Sequence, residues 1–249
     1  MVVGEVENNK RTVLITGGTS GIGSAVAIKF AKEGWDVVCH YFTSEERADS
    51  LKKVIENCGV KCYLIKSDFS KKVAIQKFIK ELTNYNVVSL INNAGTYVVN
   101  KHFCELTIDE IVETFTVNTF APMLLSANIF MKMKERRFGR IVNISSIAAK
   151  YGGSSYSLHY GCSKHAIEGL TKTLAREGAA YNILINTVRL GVIDTEFHKK
   201  FSKDMSERLA MIPLKRMGTP GDVSDMVYYL GSDKNKFITN EIMTIAGGE

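Results

Sequence analysis

The 249-residue chain predicts an α/β fold, a doubly wound parallel sheet of about seven strands with helices on both faces. Three observations carry this. Short apolar runs alternate from end to end with helical patterns of about 10–15 residues, the signature of βαβ units. A glycine turn, Thr16-Gly17-Gly18-Thr19-Ser20-Gly21-Ile22-Gly23, stands between the first run and the first helical pattern. No linker, repeat or low-complexity stretch divides the sequence, so one domain over 1–249 is the economical reading. Right-handed crossovers then place helices on both sides of the sheet.

The elements follow in order. Thr12–Thr16 reads as the first strand and Ile22–Glu33 as the first helix, stopped at Gly34, a residue that tolerates positive φ. Val37–Cys39 is the second strand, and Thr43-Ser44-Glu45-Glu46 reads as a capping box for the second helix. Tyr63–Ile65, Val87–Ile91, Arg140–Ile144 and Ile183–Val188 are further apolar strands. Thr107-Ile108-Asp109-Glu110 is a second capping box before a long helix. Thr219 supplies an N-cap with Pro220 at the first helical position. Ile242–Ile245 closes the sheet before Gly247-Gly248.

Bulk properties narrow the function. No run of about 18 apolar residues occurs, so no membrane span is expected. The first ten residues lack the basic-then-apolar order of a signal peptide. Five cysteines at 39, 58, 62, 104 and 162 are odd in number. Only Cys58 and Cys62 are close, with no matching second pair, which argues against zinc and for a reduced, cytoplasmic setting. No metal site is expected. A net charge of +6 is mild; it permits an anionic ligand and does not single out nucleic acid.

The chemistry concentrates around Tyr160-Gly161-Cys162-Ser163-Lys164, with Ser146 upstream. A carbonyl that receives hydride needs a proton, and tyrosine, with a pKa near 10, is too weak an acid–base group alone at about pH 7. A lysine one helical turn away shares its face at about 5–6 Å and favours the phenolate. The expectation is therefore that Lys164 lowers the Tyr160 pKa and reaches a cofactor ribose. Tyr97-Val98-Val99-Asn100-Lys101 has the same spacing but falls in the loop after Asn92-Asn93-Ala94-Gly95. Ser146 ends a strand, and the carboxyl ends of strands line the ligand crevice in open α/β sheets. Pro122 has no N–H for the carbonyl four residues back, at Asn118, so a kink and a freed carbonyl are expected there, a place for a proton-relay water.

The glycine spacing at 17, 21 and 23 suits a dinucleotide. One glycine turns the chain, one admits a phosphate, and one lets the helix pack on the sheet. The helix N-terminus then offers free N–H groups and partial positive charge to a pyrophosphate.

With these residues in place, the chain resembles the short-chain dehydrogenase/reductase family over almost its full length, from Thr12 to Gly248. The motifs occur in family order: the glycine turn, Asp68, Asn92-Asn93-Ala94-Gly95, Asn118, Ser146, Tyr160 and Lys164, then Asn186 before Gly191-Val192-Ile193-Asp194-Thr195. The resemblance implies a catalytic tetrad of Asn118, Ser146, Tyr160 and Lys164. It implies cofactor contacts from Gly17, Thr19, Ser20, Gly21, Ile22 and Gly23, from Tyr41, Phe42 and Thr43, and from Asn93, Ala94 and Gly95. Asp68 and Phe69 would meet the adenine, and Gly191, Ile193 and Thr195 the nicotinamide side, with Tyr160 and Lys164 shared between cofactor and chemistry. Departures are Leu190 for the usual proline, Asn240 for a late glycine, Ala246 for an aspartate, and a Ser146–Tyr160 interval one residue longer than in related carbonyl reductases. The first suggests a less rigid loop and the last a bulge at Gly152-Gly153-Ser154-Ser155.

NAD-preferring relatives carry an acidic group where this chain has Tyr41. Nothing there repels a 2′-phosphate, and Thr43 or Ser44 could bond it, so NADP(H) is favoured with NAD(H) left open. The pattern is nearest to 3-oxoacyl-carrier-protein reductases, including Pro213-Leu214-Lys215-Arg216-Met217-Gly218-Thr219-Pro220. The expected substrate is a small carbonyl or alcohol, with an acidic acyl carrier protein as a candidate partner at Arg136 and Arg137. Tyr181-Asn182, where a second basic contact is expected, weakens that reading. A sugar, polyol or nucleotide-sugar dehydrogenase is the alternative, favoured by His198-Lys199-Lys200 in an expected lid over 197–211; a non-catalytic dinucleotide-binding subunit is a third. The resemblance also implies a homotetramer built through the helices around Asp109–Met133 and Ser157–Tyr181, with a dimer left open.

Overall fold

The structure, a computed structural model, describes residues 11–196 and 205–249. The expected lid lies partly outside them, and His198, Lys199 and Lys200 do so entirely.

Seven parallel strands form one sheet. They are β1 (Thr12–Ile15), β2 (Asp36–Tyr41), β3 (Cys62–Lys66), β4 (Val87–Asn92), β5 (Gly139–Ser146), β6 (Ile183–Leu190) and β7 (Ile242–Ile245). Their spatial order is β3-β2-β1-β4-β5-β6-β7. Every residue of β1, β2 and β4 is buried, as a sheet covered on both faces requires. Successive β1 residues serve opposite cores. Val13 and Ile15 pack with Phe30, Val223 and Val227 on one face, and Leu14 packs with Phe78, Leu125 and Ile129 on the other. The pleat's period of two produces this division.

The helices are α1 (Gly21–Lys32), α2 (Glu45–Glu56), α3 (Lys72–Glu81), α4 (Ile108–Phe115), α5 (Ala121–Arg136), α6 (Ile147–Tyr151), α7 (Leu158–Gly178), α8 (Met205–Met211) and α9 (Pro220–Gly231). The capping box at Thr107 forms as expected, closed by Glu110, and the expected N-cap at Thr219 proves to be a full box closed by Asp222. The box at Thr43 does not form. Ser44 is the N-cap of α2, accepting the Arg47 N–H, because the helix starts one residue later and places Arg47 at the third position.

The irregularity expected before Pro122 takes a specific form. Residues Thr116–Phe120 make one π-helical turn between α4 and α5, with the Ala121 N–H bonded to Thr116 O, five residues back. A π-turn at a functional position is a recurrent device for re-aiming one side chain. Here it carries Asn118.

The departures from family pattern are absorbed locally. Gly152 and Gly153 both take positive φ (83° and 71°), which lets the longer Ser146–Tyr160 interval turn sharply after α6. Asn240, in place of glycine, adopts φ 66°, a left-handed conformation that asparagine tolerates.

Candidate active site

The strand order reverses between β1 and β4, and ligands of open α/β sheets bind outside the carboxyl ends at such a switch point. The glycine turn follows β1 and Asn93-Ala94-Gly95 follows β4, so both face one crevice. Its volume is about 1010 Å³.

The turn is held from below. Gly17 has φ 62°, and a Cβ there would lie 3.0 Å from Ala94 Cα. A Cβ on Gly23 would lie 2.2 Å from Gly17 O, so the helix packs tightly on the turn. Ser20 caps α1, accepting the Gly23 N–H at 3.3 Å and donating to Gly17 O at 2.7 Å. The Asn93 amide donates to Thr16 O (2.9 Å) and Gly17 O (3.0 Å), while the Thr16 hydroxyl accepts the Asn93 and Ala94 N–H groups. The cradle thus fits a pyrophosphate: a rigid glycine turn running into a helix N-terminus, with no acidic residue in that helix's first turn.

The second half of the site lies on β5 and α7. Lys164 is buried, and its Nζ donates to Ile144 O at 2.9 Å. It lies 5.8 Å from the Tyr160 ring centroid. The Tyr160 phenol shares a side-chain hydrogen bond with Ser146. Ser146 also accepts the Ala148 N–H at 3.2 Å as the cap of α6, so one hydroxyl serves both tasks. Asn118 is one layer back. Its amide donates to Thr96 O and Ser163 Oγ, both at 2.9 Å, and its oxygen accepts the Thr96 N–H at 2.7 Å.

Electrostatics depart from the sequence expectation. Burial pushes the Tyr160 phenol up to about 12, offset only by the Ser146 hydrogen bond. Burial also pushes Lys164 down to about 8. The expected lowering of Tyr160 by Lys164 is absent, because the ammonium points at Ile144 O and desolvation of both groups dominates.

Most predicted site residues line the crevice, among them Ser146, Tyr160, Lys164, Asp68 and Thr195. Asn118, Gly23 and Ile193 do not. Asn118 holds the wall from behind, Gly23 supports the turn, and the Ile193 side chain packs in the core while its backbone pairs with Gly218. Phe69 reaches the crevice, but its ring is stacked on His40 at 3.8 Å. The Tyr97 hydroxyl bonds Asn100 and the Tyr156 carbonyl, so the matching Tyr97–Lys101 spacing is a loop anchor.

Sequence reasoning missed several lining residues, among them three that carry nitrogen bases or cations: His40, Arg47 and Lys71. Arg47 was legible as a cation in the first turn after Ser44; His40 and Lys71 gave no signal, since a lone strand histidine or surface lysine is ordinarily structural. Arg136 and Arg137 are exposed, and each donates to a backbone carbonyl, of Val87 and Ala180 respectively. Among the described residues, no helix is long and apolar enough to cross a membrane, and no cluster of three metal-ligating side chains occurs.

Fold and crevice together define a dinucleotide-binding α/β protein with a phenol, a hydroxyl and an amine converging at the strand ends. The comparisons with known proteins agree. A family model described as short chain dehydrogenase matches residues 11–206. The 3-oxoacyl-[acyl-carrier-protein] reductase FabG of Aquifex aeolicus is 34% identical over 250 residues, covering 98% of this chain and 99% of that protein. Among solved structures, a blue fluorescent protein from a metagenomic library, in complex with NADPH, matches with a TM-score of 0.89 at 27% identity, covering 96% of this chain and 98% of that one. A 3-oxoacyl (acyl-carrier-protein) reductase from Agrobacterium tumefaciens with NADP bound matches with a TM-score of 0.88 at 26% identity, covering 100% and 98%. The chain belongs to the short-chain dehydrogenase family and is an NAD(P)-dependent oxidoreductase acting on CH–OH or C=O groups.

Proposed function

We propose that this enzyme is an NADPH-dependent reductase of 3-oxoacyl thioesters. When bound, the reduced nicotinamide supplies hydride. The observation that carries the reading is the Ser146–Tyr160 hydrogen bond beside Lys164 in one crevice. Ser146 binds and orients the carbonyl oxygen. Tyr160 donates the proton that this oxygen needs as it gains negative charge. A phenol held near 12 stays protonated at neutral pH and is still far more acidic than the alcohol formed, so transfer runs downhill. Lys164 hydrogen-bonds the cofactor ribose and supplies positive charge beside the phenol. Asn118 fixes the Thr96 backbone and Ser163, keeping α7 in register with the β4 loop.

The preference for NADP(H) is supported by Arg47 and Lys71, which line the crevice and take part in no ion pair among the described residues. Tyr41 leaves the β2 end without the carboxylate that would repel a 2′-phosphate. Two solved relatives carry this cofactor in the same fold. The acyl-thioester preference is supported by the Aquifex relative, and acyl carrier protein docking by the exposed Arg136 and Arg137. A homotetramer is supported by apolar side chains that α5 and the turn before it expose: Phe120 (45%), Leu124 (49%) and Met131 (58%). The five unpaired cysteines favour a reducing, cytoplasmic compartment.

The test is a spectrophotometric assay with acetoacetyl thioesters and both reduced nicotinamides. NADPH oxidation dependent on the thioester is expected, with kcat/KM for NADPH above that for NADH. No turnover with any 3-oxoacyl thioester, beside turnover of an oxidised sugar or polyol, rejects this substrate class.

A further inference from the structure

His40, next to last in β2, lines the crevice with both ring nitrogens occupied. Nδ1 accepts the Gly17 N–H at 3.1 Å, and Nε2 lies 3.0 Å from Ser67 O. A donor on one side and a carbonyl on the other require the hydrogen on Nε2 and the lone pair on Nδ1. Burial keeps the imidazole neutral, pushing its pKa down to about 4. The ring is 3% exposed, stacked on Phe69 at an interplanar angle of 4° and met edge-on by Phe78 at 5.2 Å, so one orientation is available. Its backbone joins in, with the Gly18 N–H donating to His40 O at 2.9 Å. One residue therefore grips the glycine turn on one side and the Ser67–Phe69 segment on the other. Both segments wall the end of the crevice that also carries Arg47 and Lys71.

We infer that His40 is a positioning residue for the cofactor, whose imidazole holds the glycine turn at Gly17 in the geometry the adenosine end needs. The inference rests on the proposal that the crevice takes NADP(H). Its basis is that the Gly17 N–H is directed into protein with the His40 imidazole as its acceptor, and a donor turned inward without an acceptor carries a desolvation cost. Without that acceptor the turn samples other conformations, and binding bears the ordering cost.

Two isosteric variants separate the bonds. His40→Asn keeps an acceptor at the Nδ1 position, two bonds beyond Cβ, and gives up Ser67. His40→Gln reaches the Nε2 position and leaves Gly17 without an acceptor. Calorimetric titration of each with NADPH, with 2′,5′-ADP as the adenosine half and with reduced nicotinamide mononucleotide as the other half separates local from general effects. The expected result is that His40→Gln weakens NADPH and 2′,5′-ADP about 10-fold, one unsatisfied buried N–H, with the mononucleotide unchanged. His40→Asn is expected to stay within about 3-fold of wild type, the rescue expected when an acceptor for the Gly17 N–H is retained. Wild-type affinity for 2′,5′-ADP in His40→Gln overturns the inference. So does equal loss in both variants, or loss of the mononucleotide in step with 2′,5′-ADP, which signals general loosening. Failure of the wild-type protein to bind NADPH sinks the cofactor reading itself, and this inference with it.

Discussion

The Lys164 Nζ donates to the Ile144 carbonyl at 2.9 Å while lying 5.8 Å from the Tyr160 ring centroid. The amine is therefore anchored to β5 and not to the phenol, although the two residues are one helical turn apart on α7. Burial raises one group and lowers the other, to about 12 and about 8. Proton donor and cation are thus poised in opposite directions by the same dry environment.

Replacing Tyr160 with Phe removes the proton donor and leaves the crevice walls in place. Turnover is expected to fall about 100- to 10,000-fold, the range for a lost general acid, with NADPH affinity within a few-fold of wild type. Steady-state kinetics and a binding titration on the same preparation check both halves. Undiminished turnover in Tyr160→Phe removes Tyr160 from the chemistry.

Lys164 makes a pH prediction with a definite sign. Its pKa is about 8 folded against 10.5 unfolded, so between these values the unfolded chain holds the extra proton. Stability from this group therefore rises with pH across that window and is lost as pH falls through 8. Cys39 and Cys62, raised from 9.0 to about 12, and Tyr160, raised from 10.0 to about 12, act oppositely above their unfolded values. They remain in Lys164→Met, so the difference between the two proteins isolates Lys164. Urea melts from pH 7.5 to 10.5 are expected to show wild type gaining on the variant by up to about 3 kcal/mol. Parallel stability curves would mean that Lys164 stays charged in the fold.

The proposed roles of Arg47 and Lys71 at the 2′-phosphate make cofactor choice testable at two side chains. Arg47→Ala is expected to raise KM for NADPH about 10- to 100-fold, the worth of a charge-assisted hydrogen bond, and to change KM for NADH by less than about 3-fold. An equal effect on both cofactors would place Arg47 elsewhere than at the 2′-phosphate.

Leu124 and Met131 lie seven residues apart on one face of α5, with Phe120 one turn before them. A double change to lysine buries two charges in any interface formed through that face. Light scattering after gel filtration is expected to show a smaller species than wild type. An unchanged mass assigns the assembly surface to other helices.

The parallel sheet, one of two expected capping boxes and the cluster at 146, 160 and 164 were legible because each rests on local pattern: alternation of strand and helix, caps and i,i+4 spacing. What was not legible depends on which neighbour a side chain meets. Thr43 and Ser44 are both competent caps, and only the backbone path selects Ser44. Pro122 announced an irregularity, but the π-turn at Thr116–Phe120 depends on Asn118 reaching Thr96 and Ser163 from another element. Lys164 was given the right face, but its bond to Ile144 was not legible, since Ile144 comes from β5 and desolvation is invisible in a one-dimensional pattern. His40 reads as an ordinary core histidine until Gly17 and Ser67 close on it.

The Leu190 departure has a structural counterpart one residue earlier. Arg189 on β6 forms a two-pronged ion pair with Glu168 of α7, at 2.9 and 2.7 Å, and Glu168 also accepts the Ser145 hydroxyl at 2.8 Å. The same Ser145 hydroxyl lies 3.2 Å from Lys164 O, a second acceptor for its one proton, so the network joins β5, β6 and α7 immediately behind Ser146 and Lys164. Glu168 is 5% and Arg189 17% exposed at the side chain, which makes the pair costly to break from one side only. Arg189→Met is expected to destabilise the protein by about 3 kcal/mol, because Glu168 is left charged and buried. The double variant Arg189→Met, Glu168→Met is expected to recover most of that loss, since apolar groups of similar volume replace both charges. A thermodynamic cycle from urea denaturation measures the coupling. If the network also fixes the loop that lacks proline, the double variant keeps its stability and loses kcat, because Ser145 loses its Glu168 anchor beside the Lys164 turn. A double variant with wild-type kcat confines the network to stability, and leaves the Leu190 loop ordered by backbone bonds such as Gly191 N–H to Ile245 O and Gly218 N–H to Val192 O.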